Sequence, residues 1–578
     1  MSHHRKYSIE YVLAAIGILI AYTVSNIYLE HVFGRNRAVV KTAFFFVYFL
    51  VWIIPLVYFW IKDKISENAV SPILVLCFAV LYTSTLWTIS VPAGIGLPDV
   101  DFHVAKILYS SSGHFFNDPV TSFPSIYPPV YHIMAGLIMR VSGSDSSWFT
   151  LCRFHVLMLV FLFMSVYLLG RLLFTPVVGL LSVLLFCGVF DMPNWSGMFL
   201  PTPFLLALAV IINSVALTYL GFQGRSWYLY LAGLAAGLAV TIWPAFLPVG
   251  IALPIVVFLT MQKGLWRPTN LLKFVLPFSV FPIMVWLPQY LLLSKHGLLG
   301  HHSIGQFKGI PGVAWFSDFA ARFILLGGFD QNQQWVTVLF GMIYVVLIFT
   351  AFLGFRSLRE ETILKKKFLG YFLFLMLISL PVVDYVFSSV YSRRVQVLLS
   401  TVLVILAGYY LVAQLKARYR VLVTVFVVLV VASTSGWNIY QAHSYVMEAK
   451  IRYDARRKET THVLEFIKSK TSFGEYVFAT GKIYRSVIFG NIIRFNLVAH
   501  RDGSYYSLDP ILSEKMLTEY ESILNSGNFN FIRGILKQYN VRYILINNGE
   551  EILYPGIKQL SENCRRVYHD GTFAVFRL

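Results

Sequence analysis

Between Ile9 and Trp437 the chain returns repeatedly to long, almost uncharged apolar runs, and that feature decides what it can fold into. A bilayer core about 30 Å thick is crossed by about 20 apolar residues in a helix, whose backbone groups bond within the segment. About thirteen stretches qualify or nearly qualify on that length. They are Ile9–Leu29, Ala38–Ile61, Val70–Val91, Phe149–Leu169, Pro176–Phe190, Phe204–Leu220, Leu229–Ile242, Phe246–Met261, Leu272–Leu293, Val336–Phe355, Leu369–Phe387, Val395–Val412 and Val421–Trp437. Leu229–Ile242 and Phe246–Met261 are short and meet at Trp243-Pro244, as a complete or a shallow hairpin. Charged residues make up only 13% of the chain, about half the usual share in a soluble domain. A soluble enzyme, a disulfide scaffold, a disordered chain and a nucleic-acid-binding domain are thereby excluded. The 47 Lys and Arg against 28 Asp and Glu suit loops facing anionic headgroups, so no nucleic-acid partner is expected.

The expected fold class is a polytopic α-helical membrane protein. The basic start MSHHRK before the first run, with no small-residue cleavage site after it, predicts an uncleaved first helix. With a cytoplasmic N-terminus, the inside loops carry Lys62 and Lys64, Arg171, Arg225, and then Lys263, Arg267 and Lys273. Further inside loops carry Arg356, Arg359 and Lys365 to Lys367, then Lys416, Arg418 and Arg420. The turns at Asp191–Pro201 and Trp243-Pro244 have no basic residue and face outward, as the positive-inside rule requires. The pattern holds when Tyr127–Val141 lies on the outer surface without crossing. The localisation so read is the cytoplasmic (inner) membrane. Residues 1–441 form the membrane domain, with outer loops 92–148 and 294–335, and 442–578 form a small extracytoplasmic α/β domain. In that domain Tyr476–Ala479, Val541–Ile546 and Phe573–Phe576 read as strands, Phe531–Gln538 as a helix, and Asp570-Gly571 as a hairpin turn. Cys77, Cys152, Cys187 and Cys564 show no paired spacing for a metal cluster or disulfide framework.

The first outer loop carries the densest chemistry. It begins GIGLPDVDFHVAKIL and ends SFPSIYPPVYHIMAGLIMRVSG. Asp99 and Asp101 follow the outer end of the third run, and His103, four residues after Asp99, shares a helix face with it. Ionisable groups at a membrane boundary are costly to desolvate and often mark a site; helix capping is the structural alternative.

This acidic motif after an early helix, with a Tyr-Pro-Pro loop, resembles the GT-C class of glycosyltransferases. That class includes the protein O-mannosyltransferases, the lipid A aminoarabinose transferases and the oligosaccharyltransferase catalytic subunits. LLGRLLF, the small-residue stretch YLAGLAAGLAVTIWP and a late outer YSRR are similar as well. The resemblance implies a polyprenyl-phosphate-linked sugar donor used on the outer face, with the first-loop acid as base or as orienter of the acceptor. Where the family has Pro-Asp-Glu this chain has Pro98-Asp99-Val100, so the catalytic role is open between Asp99 and Asp101. It further implies a donor or acceptor role for Asp191 in VFDMPNWSG, where relatives bind a divalent metal, so Mg or Mn is a candidate cofactor. A late outer Arg in the family binds the carrier phosphate, which here points to Arg393 and Arg394.

Read by themselves, Arg393 and Arg394 sit on the expected outside against the charge trend, beside Asp384 and Tyr391. The planar guanidinium fork suits phosphate oxygens; an ion pair or headgroup contact is the structural alternative. The second loop carries His296, His301, His302 and Lys308 in a Gly-rich stretch, followed by the interfacial helix WFSDFAARFILLGGF. Lys308 is a further candidate for donor phosphate. The histidines lack the fixed spacing of a metal site. Phe115, Phe116, Tyr127 and Tyr131 suit sugar stacking or interfacial anchoring. Asn194-Trp195-Ser196 fits a glycosylation sequon.

Moving a sugar off a lipid phosphate needs a base beside the acceptor, cations for the leaving phosphate and an apolar groove for the prenyl chain. The expected function is transfer of that sugar, with inversion, to an extracytoplasmic glycan, lipid or protein acceptor. The expected partners are the polyprenyl-phosphate sugar, membrane lipids and that acceptor. Neither a Walker nor a Rossmann motif is present, as fits a lipid-linked donor. The rival readings are a transporter or flippase of lipid-linked saccharides and an inactive envelope-assembly scaffold. Inverted repeats and mid-membrane charge would mark a transporter.

Overall fold

The apolar runs fold as helices whose ends extend past the runs. In the computed structural model the described residues are 98–117, 127–144, 147–190, 202–223, 225–260, 268–295, 334–358, 363–386, 389–415, 495–498 and 510–578, most of 462–480, and isolated positions before residue 83. Five segments among them are long and apolar enough to cross a membrane: Thr150–Leu173, Pro203–Phe222, Thr269–Leu292, Ile363–Val383 and Arg394–Gln414. The chain is thus a helix-rich, multi-pass membrane protein. Most of Ile9–Leu29 and Ala38–Ile61, and all of Val421–Trp437, lie outside the described residues.

In chain order the described helices begin with α1 (Pro98–Ser111), α2 (Val130–Val141), α3 (Ser147–Leu173), α4 (Pro176–Phe190) and α5 (Pro203–Phe222). They continue with α6 (Tyr228–Ile242), α7 (Leu247–Thr260), α8 (Pro268–Lys295), α9 (Gln334–Ser357), α10 (Ile363–Val386) and α11 (Ser389–Leu415). Lys365 to Lys367 lie inside α10, and Tyr391, Arg393 and Arg394 inside α11, rather than in connections. Basic side chains have long aliphatic stems that keep a helix going while the charge reaches the headgroups, so apolarity stops before the helix does.

The chain divides into two compact units. The first comprises Met1–Ser90, His155–Ile283 and Ile304–Tyr445. Here α5 packs on α6, α7 on α10, and α11 on α4, α9 and α10. Lipid tails are as apolar as leucine, so helix association in a bilayer relies on close backbone approach at small residues. Gly233 and Gly237, one turn apart on α6, lie against the carbonyl oxygens of Phe274 and Phe278 on α8, so that any Cβ there collides with backbone. Gly354 on α9 meets the Leu406 carbonyl of α11 in the same way. A Cβ on Gly170 would lie 2.9 Å from the Gly179 Cα across the α3–α4 turn. The small-residue stretch YLAGLAAGLAV is thus a packing surface.

Contacts at the helix ends group the connections. Lys273 donates to the Ser226 hydroxyl at 2.8 Å, and the Lys365 ammonium lies 5.5 Å from the Phe174 ring centre. These connections were assigned to one side of the membrane by their basic charge, and they pair with one another. Trp243, at the opposite end of α6 from Ser226, meets Arg394 at the start of α11.

The second unit comprises Val91–Phe154, Met284–Ser303 and Val446–Leu578. Its C-terminal part contains β1 (Glu475–Ala479), β2 (Phe495–Val498), α12 (Pro510–Asn525), α13 (Phe529–Gln538) and β3 (Val541–Asn547). After these come α14 (Glu550–Leu553), α15 (Pro555–Asn563), β4 (Arg565–His569) and β5 (Phe573–Arg577). The sheet order is β2-β1-β3-β5-β4, with β1 parallel to β2 and β3, and β5 antiparallel to β3 and β4. Side chains alternate across a strand. Ile544, Ile546, Ala574 and Phe576 therefore pack with Ile532, Leu536, Ile557 and Leu560, while Leu545, Phe573 and Val575 pack with Val463 and Ile467. Both faces are covered. The expected strands and helix fall within β1, β3, β5 and α13, and Asp570-Gly571 turns β4 into β5 with Gly571 at φ 86°.

A larger residue at Gly233 or Gly237 must push α6 from α8. Gly233→Ala and Gly237→Ala should each cost about 1–3 kcal/mol, the usual penalty for overpacking. Thermal unfolding in nanodiscs would show this as a lower midpoint. Gly370→Ala, whose Cβ would meet only the Phe355 ring at 3.6 Å or more, should leave the midpoint unchanged.

Candidate active site

Two polar constellations stand out, one in each unit. In the second unit, Pro98 opens α1 at the position where its fixed φ and missing N–H are harmless. Asp99 and Asp101 then fall in the first helical turn, where the helix dipole favours carboxylates, and His103 stands one turn after Asp99. Pro128 and Pro129 lead into α2, which at 12 residues is too short to cross a bilayer. The two helices cross closely: a Cβ at Gly136 would lie 2.8 Å from the Ser111 nitrogen and 3.0 Å from the Ser110 Cβ.

That crossing brings His103 and His132 together. Nδ1 of His103 and Nε2 of His132 lie 2.9 Å apart, with the rings stacked at 5.1 Å between centres. Tyr127 and Tyr131 meet both imidazoles edge-on, at 5.1–5.8 Å. Lys106, one turn after His103, is fully buried and donates to the Asn117 carbonyl at 2.7 Å. Gln289 on α8, also buried, donates to the Tyr127 carbonyl at 3.3 Å. Burial pushes the His132 pKa well below the ordinary histidine value, and His103 and Lys106 push it the same way. Burial likewise raises the Tyr131 phenol, with Tyr127 adding to it. The arrangement is a closely packed, buried polar knot that anchors the Tyr-Pro-Pro segment to the helix carrying both aspartates.

In the first unit, Arg394 is half-buried near the start of α11. Its guanidinium carbon lies 5.0 Å from the Trp243 ring centre and 6.0 Å from that of Phe204. Phe204 in turn stacks on Phe246 at 6.1 Å. Trp243 ends α6 in an extended conformation, followed by a 3-10 turn over Pro244–Phe246. The residue before a proline is driven out of the helical region, so the Trp-Pro pair both breaks the hairpin and aims the indole.

Of the sequence-predicted site residues, Tyr127 and His103 are brought together, and Arg394 is placed on its aromatic floor. Asp99, Asp101, Tyr391 and Arg393 are placed by their backbone on α1 and α11. Asp191, His296, His301, His302 and Lys308 lie outside the described residues. His132, Lys106, Gln289 and Trp243 were given no site role in the sequence, where Trp243 was read only as part of a turn. The only signals for the first two were titratable residues on otherwise apolar helices. Among the described residues no group of three or more His, Cys, Asp or Glu side chains is placed to hold a metal ion. His103 and His132 are bound to each other.

The fold is similar to that of ArnT. ArnT from Cupriavidus metallidurans, solved bound to undecaprenyl phosphate, aligns over 86% of this chain and 97% of its own, with TM-score 0.57 and 12% identity. Its apo form gives TM-score 0.55 over the same shares at 12% identity. An oligosaccharyltransferase from Archaeoglobus fulgidus, at TM-score 0.45 and 13% identity over 82% of this chain and 68% of its own, is more distant. No family model matches the sequence, and no curated protein matches it.

A histidine held below its ordinary pKa takes up its proton more readily in the unfolded chain. Stability should therefore fall as pH drops below about 6.5, the unfolded histidine value, toward the depressed folded one. Thermal unfolding of the wild type between pH 7 and 5 checks this. His132→Ala should lower the midpoint at pH 7 and flatten its decline with acid.

Proposed function

We propose that this chain is a glycosyltransferase that moves a sugar from a polyprenyl-phosphate donor to an acceptor on the outer side of the membrane. The observation that carries the reading is the fold shared with ArnT along 97% of that enzyme's length, with the Pro-Asp-Val-Asp helix locked to the Tyr-Pro-Pro helix. The undecaprenyl phosphate bound by ArnT is the model for the carrier.

One of Asp99 and Asp101 takes the proton of the acceptor hydroxyl. The acceptor oxygen forms its bond to the sugar anomeric carbon as the bond from that carbon to the carrier phosphate breaks on the opposite face, inverting the configuration. The electron pair stays on the phosphate, whose charge is met by Arg394, with Arg393 and Lys308 as further cations. Asp191, His103, Tyr127 and Tyr391 contribute to the donor and acceptor pocket. The N-terminus is cytoplasmic, and the sheet of β1–β5 lies outside the cytoplasm, as loop charge indicates.

Purified protein in nanodiscs, given a panel of polyprenyl-phosphate sugars and followed for free polyprenyl phosphate, tests this. Asp99→Asn or Asp101→Asn should cut release by about 10²–10⁴-fold, the usual contribution of a general base. Arg394→Ala should weaken donor use at least tenfold. Full release from both Asn variants would overturn the site. Neither binding nor release across the panel would favour a transporter or scaffold.

A further inference from the structure

The floor beneath Arg394 points to a residue that sequence reading passed over. A guanidinium presents two surfaces: its flat face can lie on an aromatic ring, while its N–H donors project in the plane, toward the edge. In this structure the guanidinium carbon lies 5.0 Å from the Trp243 ring centre and 6.0 Å from that of Phe204, and the two rings stand at 65° to one another. Trp243 and Phe204 are themselves buried, and Phe246 stacks on Phe204. The two rings form an aromatic corner that confines the guanidinium beside the Trp243-Pro244 break.

We infer that Trp243, with Phe204, is a positioning residue that fixes the Arg394 guanidinium edge-on to the phosphate of the lipid-linked donor. The inference rests on the proposed transferase reading and assigns Trp243 a part in it. Trp243 acts through Arg394 and makes no bond to the donor. A lysine at 394 would keep the charge but lose both the flat face and the paired donors.

A double-mutant cycle tests it. Binding of polyprenyl phosphate alone and release from its sugar ester are measured for wild type, Trp243→Leu, Trp243→Phe, Arg394→Lys, Arg394→Ala and the Trp243→Leu/Arg394→Ala pair. Trp243→Leu should weaken carrier binding and raise the donor KM about tenfold, the order expected for a desolvated cation–π contact, with kcat less affected. Trp243→Phe should recover most of that. Arg394→Lys should resemble Trp243→Leu, and Trp243→Leu should add nothing in the Arg394→Ala background. Additive losses in the pair, or a Trp243→Leu protein that binds carrier normally, would overturn the inference while leaving Arg394 as the phosphate ligand. An Arg394→Ala protein with wild-type binding and release would sink both the inference and the phosphate role. Should Trp243→Leu fail to fold, Phe204→Leu removes the other ring, and the same cycle is run with it.

Discussion

The membrane-embedded unit depends on helices approaching until backbone meets backbone. Burial of apolar side chains cannot hold them together, because leaving lipid for a neighbouring helix gains little. Where α6 crosses α8, two glycines one turn apart remove the side chains that would keep the axes apart, and the carbonyls of Phe274 and Phe278 fill the space. The same device joins α9 to α11 at Gly354. Because α6 ends at Trp243 and α11 begins just before Arg394, these close crossings also govern where the cation and its aromatic floor come to rest.

The second unit solves a different problem with the same means. Gly136 lets α2 close on α1, and the polar groups trapped by that closure are kept neutral or hydrogen-bonded. A buried lysine is costly unless its donors are used, and a histidine can avoid the cost by giving up its proton. His132 and Lys106 take these two routes within one helix pair. The aspartates ahead of them are carried by a helix whose direction is already fixed.

The helices were legible because apolar runs of bilayer length have few alternatives. Three strands of the C-terminal sheet, β1, β3 and β5, were legible, the last two because they alternate between two covered faces and because Asp570-Gly571 signals the turn before β5, whereas β2 and β4 went unread. The acidic motif and the Arg393-Arg394 pair stood out as charges in unexpected places. The His103–His132 contact was not legible: the two residues are 29 positions apart, and nothing in either segment announces the crossing at Gly136. Trp243 was hidden for the opposite reason. A Trp-Pro pair reads as a turn, and only the arrival of α11 gives the indole a guanidinium to hold. Helix ends were misread wherever Lys or Arg continued a helix beyond its apolar stretch, as in α10 and α11.

Helix α6 has a further consequence for the surrounding lipid. Its 15 residues, bounded by Trp227 and Trp243, rise about 22 Å, against about 30 Å for an ordinary hydrocarbon core. An element so short crosses only where the bilayer thins or its headgroups are drawn inward. One end of α6 is where Arg394 lies beside Trp243.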